Sequence, residues 1–239
     1  MPSKPLRKVL RSALSSILGE DFGNLPDREF YRPRFSPWEG FGEFKDVWAP
    51  VWPHTIVSAD RVWLLHALAQ QAYHLPGHFW ECGVYKGGTA IMLASVAASV
   101  PGKQLHLFDT FSGMPDVNPA YDNCHVQGDF ADTSLEAVRG RVGKGPHIFY
   151  HPGFIPDTFK GLESERIALV HVDVDIYQSA ADCCAFIYPR LCGGGFMVFD
   201  DYGFPTCAGA RAAVDQFFAG KPERVVVLPT GQAFVTKLP

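Results

Sequence analysis

No run of apolar residues in the chain reaches the roughly 18 to 20 that a membrane-spanning helix needs. Basic charge is in short supply as well: the formal net charge is −4, so nothing drives the chain toward nucleic acid or an anionic membrane in general. The six cysteines, Cys82, Cys124, Cys183, Cys184, Cys192 and Cys207, include no C-x-x-C pair and no regular framework, and no signal peptide precedes them. They read as reduced, mostly packed thiols in a soluble, cytoplasmic protein. A small neutral partner suits this surface better than a polyanion. What the chain does have is apolar content. With 47% of its 239 residues hydrophobic it can bury a full core, as one domain with a modest extension.

One further absence is informative. Residues 79–90 read FWECGVYKGGTA and run directly into the apolar segment AIMLASVAASV, which makes a strand, a glycine-permissive turn and a helix. The dinucleotide fingerprint G-x-G-x-x-G asks for a glycine where this turn has Tyr85. A tyrosine there disfavours a nicotinamide dinucleotide and suits a cofactor without a pyrophosphate. Glu81, Gly83, Tyr85, Gly87 and Thr89 are the candidate cofactor-binding residues of the turn, at the carboxyl end of a first strand. The plainer alternative is a glycine turn that only packs a helix on a sheet.

Ahead of this unit, residues 5–18 place Leu6, Val9, Leu10, Ala13, Leu14, Ile17 and Leu18 at helical spacing. Such a helix docks on its own domain or on a second subunit, which leaves a homo-oligomer open. Residues 19–53 are rich in proline, glycine and aromatics, including Trp38, Phe44, Trp48 and Trp52. They predict either an ordered cap that supplies aromatic walls to an acceptor or plain packing on the core. The expected organisation is an N-terminal helix and cap over residues 1–54 and a main domain over residues 55–239. Ser58, Ala59 and Asp60 start a helix over residues 61–73, ended by Pro76 and Gly77. That break removes any helical metal pair between His74 and His78.

Beyond the turn, apolar strands alternate with helical segments: LHLFDTF, SLEAVRGRV, IFYHPGF, IALVHVDVDIY, SAADCCAFIYPRL, GGGFMVFDDYG and GARAAVDQFFAG. This alternation predicts an α/β fold with a doubly wound, mostly parallel sheet covered on both faces. VVVLPT and QAFVTKL close the chain as a hairpin, giving an antiparallel edge strand at the C-terminus. Glu81, Asp109, Asp173, Asp175, Asp200 and Asp201 all fall at or just past strand ends, which share one edge in such a sheet. Asp109, 26 residues beyond Gly83, is placed to accept hydrogen bonds from ribose hydroxyls. Asp173 follows the fourth strand; Asp200 and Asp201 follow the fifth, after a turn at Gly193, Gly194 and Gly195. Adjacent carboxylates repel unless a cation or proton joins them, and hard oxygen donors of this kind suit Mg²⁺. Alternatively one aspartate caps the next helix while the other is solvated.

The ordered set ECGVYKGGTA, LFDTFSGMP, HVDVDIYQS, GGGFMVFDDYG and GARAAVDQFF resembles the macrocin O-methyltransferase (TylF-like) family over about residues 55–218. The resemblance implies a class I, Rossmann-like methyltransferase fold, S-adenosylmethionine as methyl donor, and a divalent cation, usually Mg²⁺. It maps the metal ligands onto Asp173, Asp200 and Asp201, the methionine end of the cofactor onto Glu81 and Gly83, and its ribose onto Asp109. It sets Gly153 and Phe154 beside the adenine. Relatives methylate sugar hydroxyls of macrolide and aminocoumarin-type natural products, which implies a role in antibiotic biosynthesis. The distantly similar catechol methyltransferases carry a lysine three residues after the first metal aspartate, where this chain has Ile176.

Transfer from a sulfonium to an alcohol needs the acceptor oxygen in line behind the methyl carbon and made more nucleophilic, which a bound cation can do. Asp173 or His125 then accepts the proton, with His151 and His171 as competitors. The expected acceptor is a small molecule with a sugar or diol-like hydroxyl. Catechol or other phenolic hydroxyls are the alternative, and a nicotinamide-dependent oxidoreductase is the alternative of another class.

Overall fold

The computed structural model describes residues 36–39 and 42–239. The helix expected at residues 5–18, and the cap residues before 36, lie outside the described residues. Seven strands form one sheet: β1 (His78–Cys82), β2 (Leu105–Asp109), β3 (Ile148–Pro152), β4 (Ile167–Val172), β5 (Leu191–Phe199), β6 (Val226–Val227) and β7 (Ala233–Thr236). Their order is β3-β2-β1-β4-β5-β7-β6. Pairing is parallel from β3 to β5, and antiparallel between β5 and β7 and between β7 and β6. Chain order reverses between β1 and β4, and that switch point is where an open α/β sheet leaves a crevice at its carboxyl edge.

Strand parity builds the two faces. Phe79, Leu107, Leu169 and Val198 point to one side; there they bury against α2 (Ala59–Ala72) and α3 (Gly88–Ala98). Their neighbours Trp80, Phe108, Val170 and Phe199 point to the other, against α5 (Tyr177–Ile187) and α6 (Ala208–Phe218). Because both faces are covered, β4 is buried along its whole length and is apolar except at His171. Between β2 and β3, Ser134 caps α4 (Leu135–Val142) by accepting the Ala137 N–H at 3.2 Å.

One expectation changes. Gly193, Gly194 and Gly195 lie inside β5 rather than in a turn before it, where the β4–β5 register shifts. A Cβ on Gly195 would fall 2.9 Å from the Cys192 carbonyl oxygen and 3.0 Å from that of Ala168, so the irregular strand needs glycine there. In the cap, Phe44 of α1 (Phe44–Trp48) is buried in the α2–α3 core, and Trp38 meets Trp63 edge to face at 5.7 Å. Trp52 is exposed. None of the four described cap tryptophans and phenylalanines, Trp38, Phe44, Trp48 and Trp52, lines the cavity at the sheet edge. Trp38, Phe44 and Trp48 thus pack on the core, while the connection His54 to Val57 reaches the cavity.

Candidate active site

The carboxyl ends of β1, β2, β4 and β5 open into a cavity of about 390 Å³. Its floor is the close contact of β1 with β4. Asp173 N–H donates to the Cys82 carbonyl at 2.8 Å, and a Cβ on Gly83, at φ +84°, would lie 1.7 Å from the Asp173 carbonyl oxygen. Only glycine can occupy position 83.

On the β2 side, Asp109 organises the glycine turn. Its Oδ2 accepts the N–H groups of Val84 and Tyr85 at 2.7 and 2.9 Å, and its Oδ1 accepts that of Phe111 at 2.6 Å. These amides are spent on a carboxylate and are not free to cradle a phosphate. A turn so arranged fits a cofactor that brings hydroxyls, since the carboxylate keeps acceptor capacity beyond the three amides. Tyr85, at φ +51°, gives its hydroxyl to Asp132 at 2.8 Å, beside the Lys86–Asp132 ion pair at 2.5 Å. Thr133 Oγ1 closes the same loop on the turn by donating to the Tyr85 carbonyl at 2.6 Å.

Gly83, Tyr85, Thr89, Asp109, Gly153, Phe154 and Asp173 all line the cavity; Glu81 and Gly87 do not. Glu81 is one residue short of the strand end and has the parity of Phe79, so it points into the sheet face under α2. There the register sets it beside His171, whose Nδ1 is 3.0 Å from Glu81 Oε1. Gly87 instead makes room for Val138 and Val142 of α4.

The opposite wall is acidic. His171 Nε2 lies 3.3 Å from Asp200 Oδ1, Gln232 Nε2 donates to the same oxygen at 2.7 Å, and Arg61 of α2 pairs with Asp200 Oδ2. Burial opposes ionisation of Asp200, but His171, Arg61 and Gln232 more than offset it and hold its pKa below the usual carboxylate value. For His171 burial acts downward, and the bonds to Asp200 and Glu81 outweigh it and raise the imidazole well above its ordinary value. Asp201 has no such company: burial, then repulsion from Asp175, Asp173 and Asp200, raises it far above the usual range. Asp173 is raised as well, by desolvation and by Asp200, which His171 and Arg61 offset only in part. Carboxyl groups gathered on one cavity, of which Asp173 and Asp201 resist ionisation, are the donor chemistry that a hard divalent cation fits.

His125 also lines the cavity, 12% exposed, with Nδ1 at 3.4 Å from Asp129 and Nε2 at 3.8 Å from Asp175. His151 lies outside the cavity; its Nε2 meets His106 Nδ1 at 3.1 Å on the β2–β3 side of the sheet. Sequence reasoning gave no role to Arg61, Cys207 and Gln232. Arg61 meets Asp200 across 139 positions and Cys207 meets His125 across 82, so no local spacing signals either contact. The one available hint was the place of Arg61 in the first turn of a helix that enters the sheet edge.

Among known proteins, residues 43–223 match the family model described as Macrocin-O-methyltransferase (TylF). The 8-demethyl-8-(2,3-dimethoxy-alpha-L-rhamnosyl)-tetracenomycin-C 4'-O-methyltransferase of Streptomyces olivaceus is 31% identical over 176 residues, 66% of this chain and 67% of that one. The mycinamicin III 3''-O-methyltransferase of Micromonospora griseorubida is 29% identical over 184 residues, 70% of this chain and 71% of its own. In three dimensions the O-methyltransferase NovP superposes with a TM-score of 0.70 at 23% identity, over 78% of this chain and 83% of its own.

Proposed function

The chain belongs to the macrocin-O-methyltransferase (TylF) family and is an S-adenosylmethionine-dependent O-methyltransferase, and on that premise we propose that it methylates a sugar hydroxyl of a glycosylated natural product with the help of a divalent cation. The relatives named for a rhamnosyl-tetracenomycin and for mycinamicin III support the acceptor class. The observation that supports the cation is that Asp173, Asp200 and Asp201 all line one cavity, with ligand atoms of Asp173 and Asp200 within 4.8 Å of each other.

In this reading Gly83, Thr89, Asp109, Gly153 and Phe154 hold the methyl donor, with Asp109 accepting from ribose hydroxyls. Asp173, Asp200 and Asp201 hold the cation, of which Mg²⁺ is the type expected; when bound, it lowers the pKa of the acceptor hydroxyl and chelates a neighbouring oxygen. Asp173 or His125, both on the cavity, accepts the hydroxyl proton. Arg61 and His171 fix Asp200, so the wall is in place before the acceptor arrives. Ile56, Met114, Phe130 and Phe204 give the acceptor an apolar contact. The oxidoreductase alternative has no support at the turn, where the amides that would meet a pyrophosphate are bonded to Asp109.

The test is an acceptor screen with labelled S-adenosylmethionine, glycosides against catechols, each with Mg²⁺ and with EDTA. Glycoside methylation that EDTA abolishes is the expected result. Transfer to catechols alone would replace the acceptor assignment, and full activity in EDTA would remove the cation.

A further inference from the structure

Beside the carboxylate wall lies a second donor set of different chemistry. Cys207 Sγ is 3.5 Å from His125 Nε2 and 3.5 Å from Asp175 Oδ1, and His125 Nε2 is 3.8 Å from Asp175 Oδ1. These three atoms form one compact triangle, and all three residues line the cavity. A tetrahedral zinc ion with Zn–S near 2.3 Å and Zn–N and Zn–O near 2.0 Å sets its ligand atoms about 3.5 Å apart for sulfur pairs and about 3.3 Å apart for the nitrogen–oxygen pair. The side chains therefore stand within about 0.5 Å of that arrangement.

We propose that His125, Asp175 and Cys207 form a binding site for a borderline-soft divalent metal ion of the Zn²⁺ type, separate from the hard-oxygen wall of Asp173, Asp200 and Asp201. Three further observations support it. The other ring nitrogen of His125 faces Asp129 Oδ2 at 3.4 Å, the carboxylate–histidine arrangement that orients metal-bound imidazoles. Asp175 is held in place by its own N–H, which donates to Asp201 Oδ2 at 2.8 Å. A thiolate, a carboxylate and a neutral imidazole sum to the charge that balances a dication, with the Cys207 proton released to solvent on coordination. Sulfur and nitrogen donors select against Mg²⁺, so the two sites divide by ligand softness. An ion here takes the Nε2 lone pair of His125 and fills the cavity wall; where His125 serves as the proposed proton acceptor, Zn²⁺ is then an inhibitor.

Titration with Co²⁺ under excess Mg²⁺ tests the site through the near-ultraviolet absorbance of a cobalt–thiolate bond, independently of turnover. The expected result is one equivalent of Co²⁺ with this band, displaced by Zn²⁺, lost in Cys207→Ser and retained in Cys124→Ser, since Cys124 is the exposed thiol. Asp129→Asn, at a half-buried position, should weaken binding by roughly 10- to 100-fold. It keeps the test open if Cys207→Ser fails to fold. Asp201→Asn should leave the band intact, because an asparagine oxygen still accepts the Asp175 N–H. No band in the wild-type protein, or an unchanged band and affinity in Cys207→Ser or in Asp129→Asn, would overturn the site.

Discussion

Asp200 and Asp201 are neighbours in the chain, and the fold treats them as opposites. Asp200 has the parity of Val198 and turns to the α2 side, where Arg61, His171 and Gln232 meet it. Asp201 has the parity of Phe199 and turns to the other side, where burial and the nearby Asp175, Asp173 and Asp200 push its proton affinity up. One carboxylate is met by a guanidinium, an imidazole and an amide, and the other is surrounded by further carboxylates. The lesson is that a pair of adjacent acids at a strand end is two environments, because β parity separates them. The same contrast recurs in two buried histidines on the sheet. His171 sits between two carboxylates, whose bonds raise its pKa well above the ordinary value. His106 of β2 is lowered to about 3 by burial, then by His151 and His78.

The largest test of this contrast is His171→Leu. It strands Glu81 and Asp200 as buried carboxylates without their shared partner, and removal of one side of such a network costs about 3–5 kcal/mol. Urea denaturation should show that loss; a change below about 1 kcal/mol would mean the network is not a buried ion pair in effect.

A second test uses the other histidine. Because the folded state resists protonating His106 while the unfolded chain accepts a proton near pH 6.5, this contribution is whole above pH 6.5. It drains away as pH falls toward 3. Between pH 7 and pH 5 the loss is about 2 kcal/mol from this one group. Comparing the two pH values in wild type and His106→Gln should show the wild-type difference shrinking by that amount, and an equal difference in both proteins would refute the assignment.

The smallest stability effect has the opposite sign. Asp201→Asn in EDTA removes a repelled buried carboxyl while keeping an acceptor for the Asp175 N–H, and should stabilise the fold by about 1 kcal/mol. Destabilisation of that size would place Asp201 in the completed network with Asp200. At the other wall of the cavity, Asp109→Ala should frustrate the turn amides of Val84 and Tyr85 and weaken S-adenosylmethionine about 10-fold or more in calorimetry. Unchanged affinity would confine Asp109 to a structural role.

Much of this was legible in the sequence because parallel strands share a carboxyl edge. The strand, glycine turn and helix around Gly83, Asp109 at the end of β2, and the acids after β4 and β5 all follow from alternation alone. The direction of Glu81 was not, since one step along a strand exchanges the cavity edge for the α2 face. Gly193 to Gly195 carry the composition of a turn, and only the register shift against β4 shows that they are a strand irregularity. The contacts of Arg61 with Asp200 and of His125 with Cys207 are set by how a helix and two loops come down on the sheet edge, which residue order does not encode locally.

The measurement closest to the central claim is calorimetric titration of Mn²⁺, as a hard-ion probe, into wild type and Asp201→Asn, each with and without S-adenosylmethionine. The account predicts one Mn²⁺ bound by the wild-type protein and none by Asp201→Asn, with cofactor affinity equal in the two. Equal Mn²⁺ binding by both proteins, or none by either, would contradict a cation held at the uncompensated side of the acidic wall.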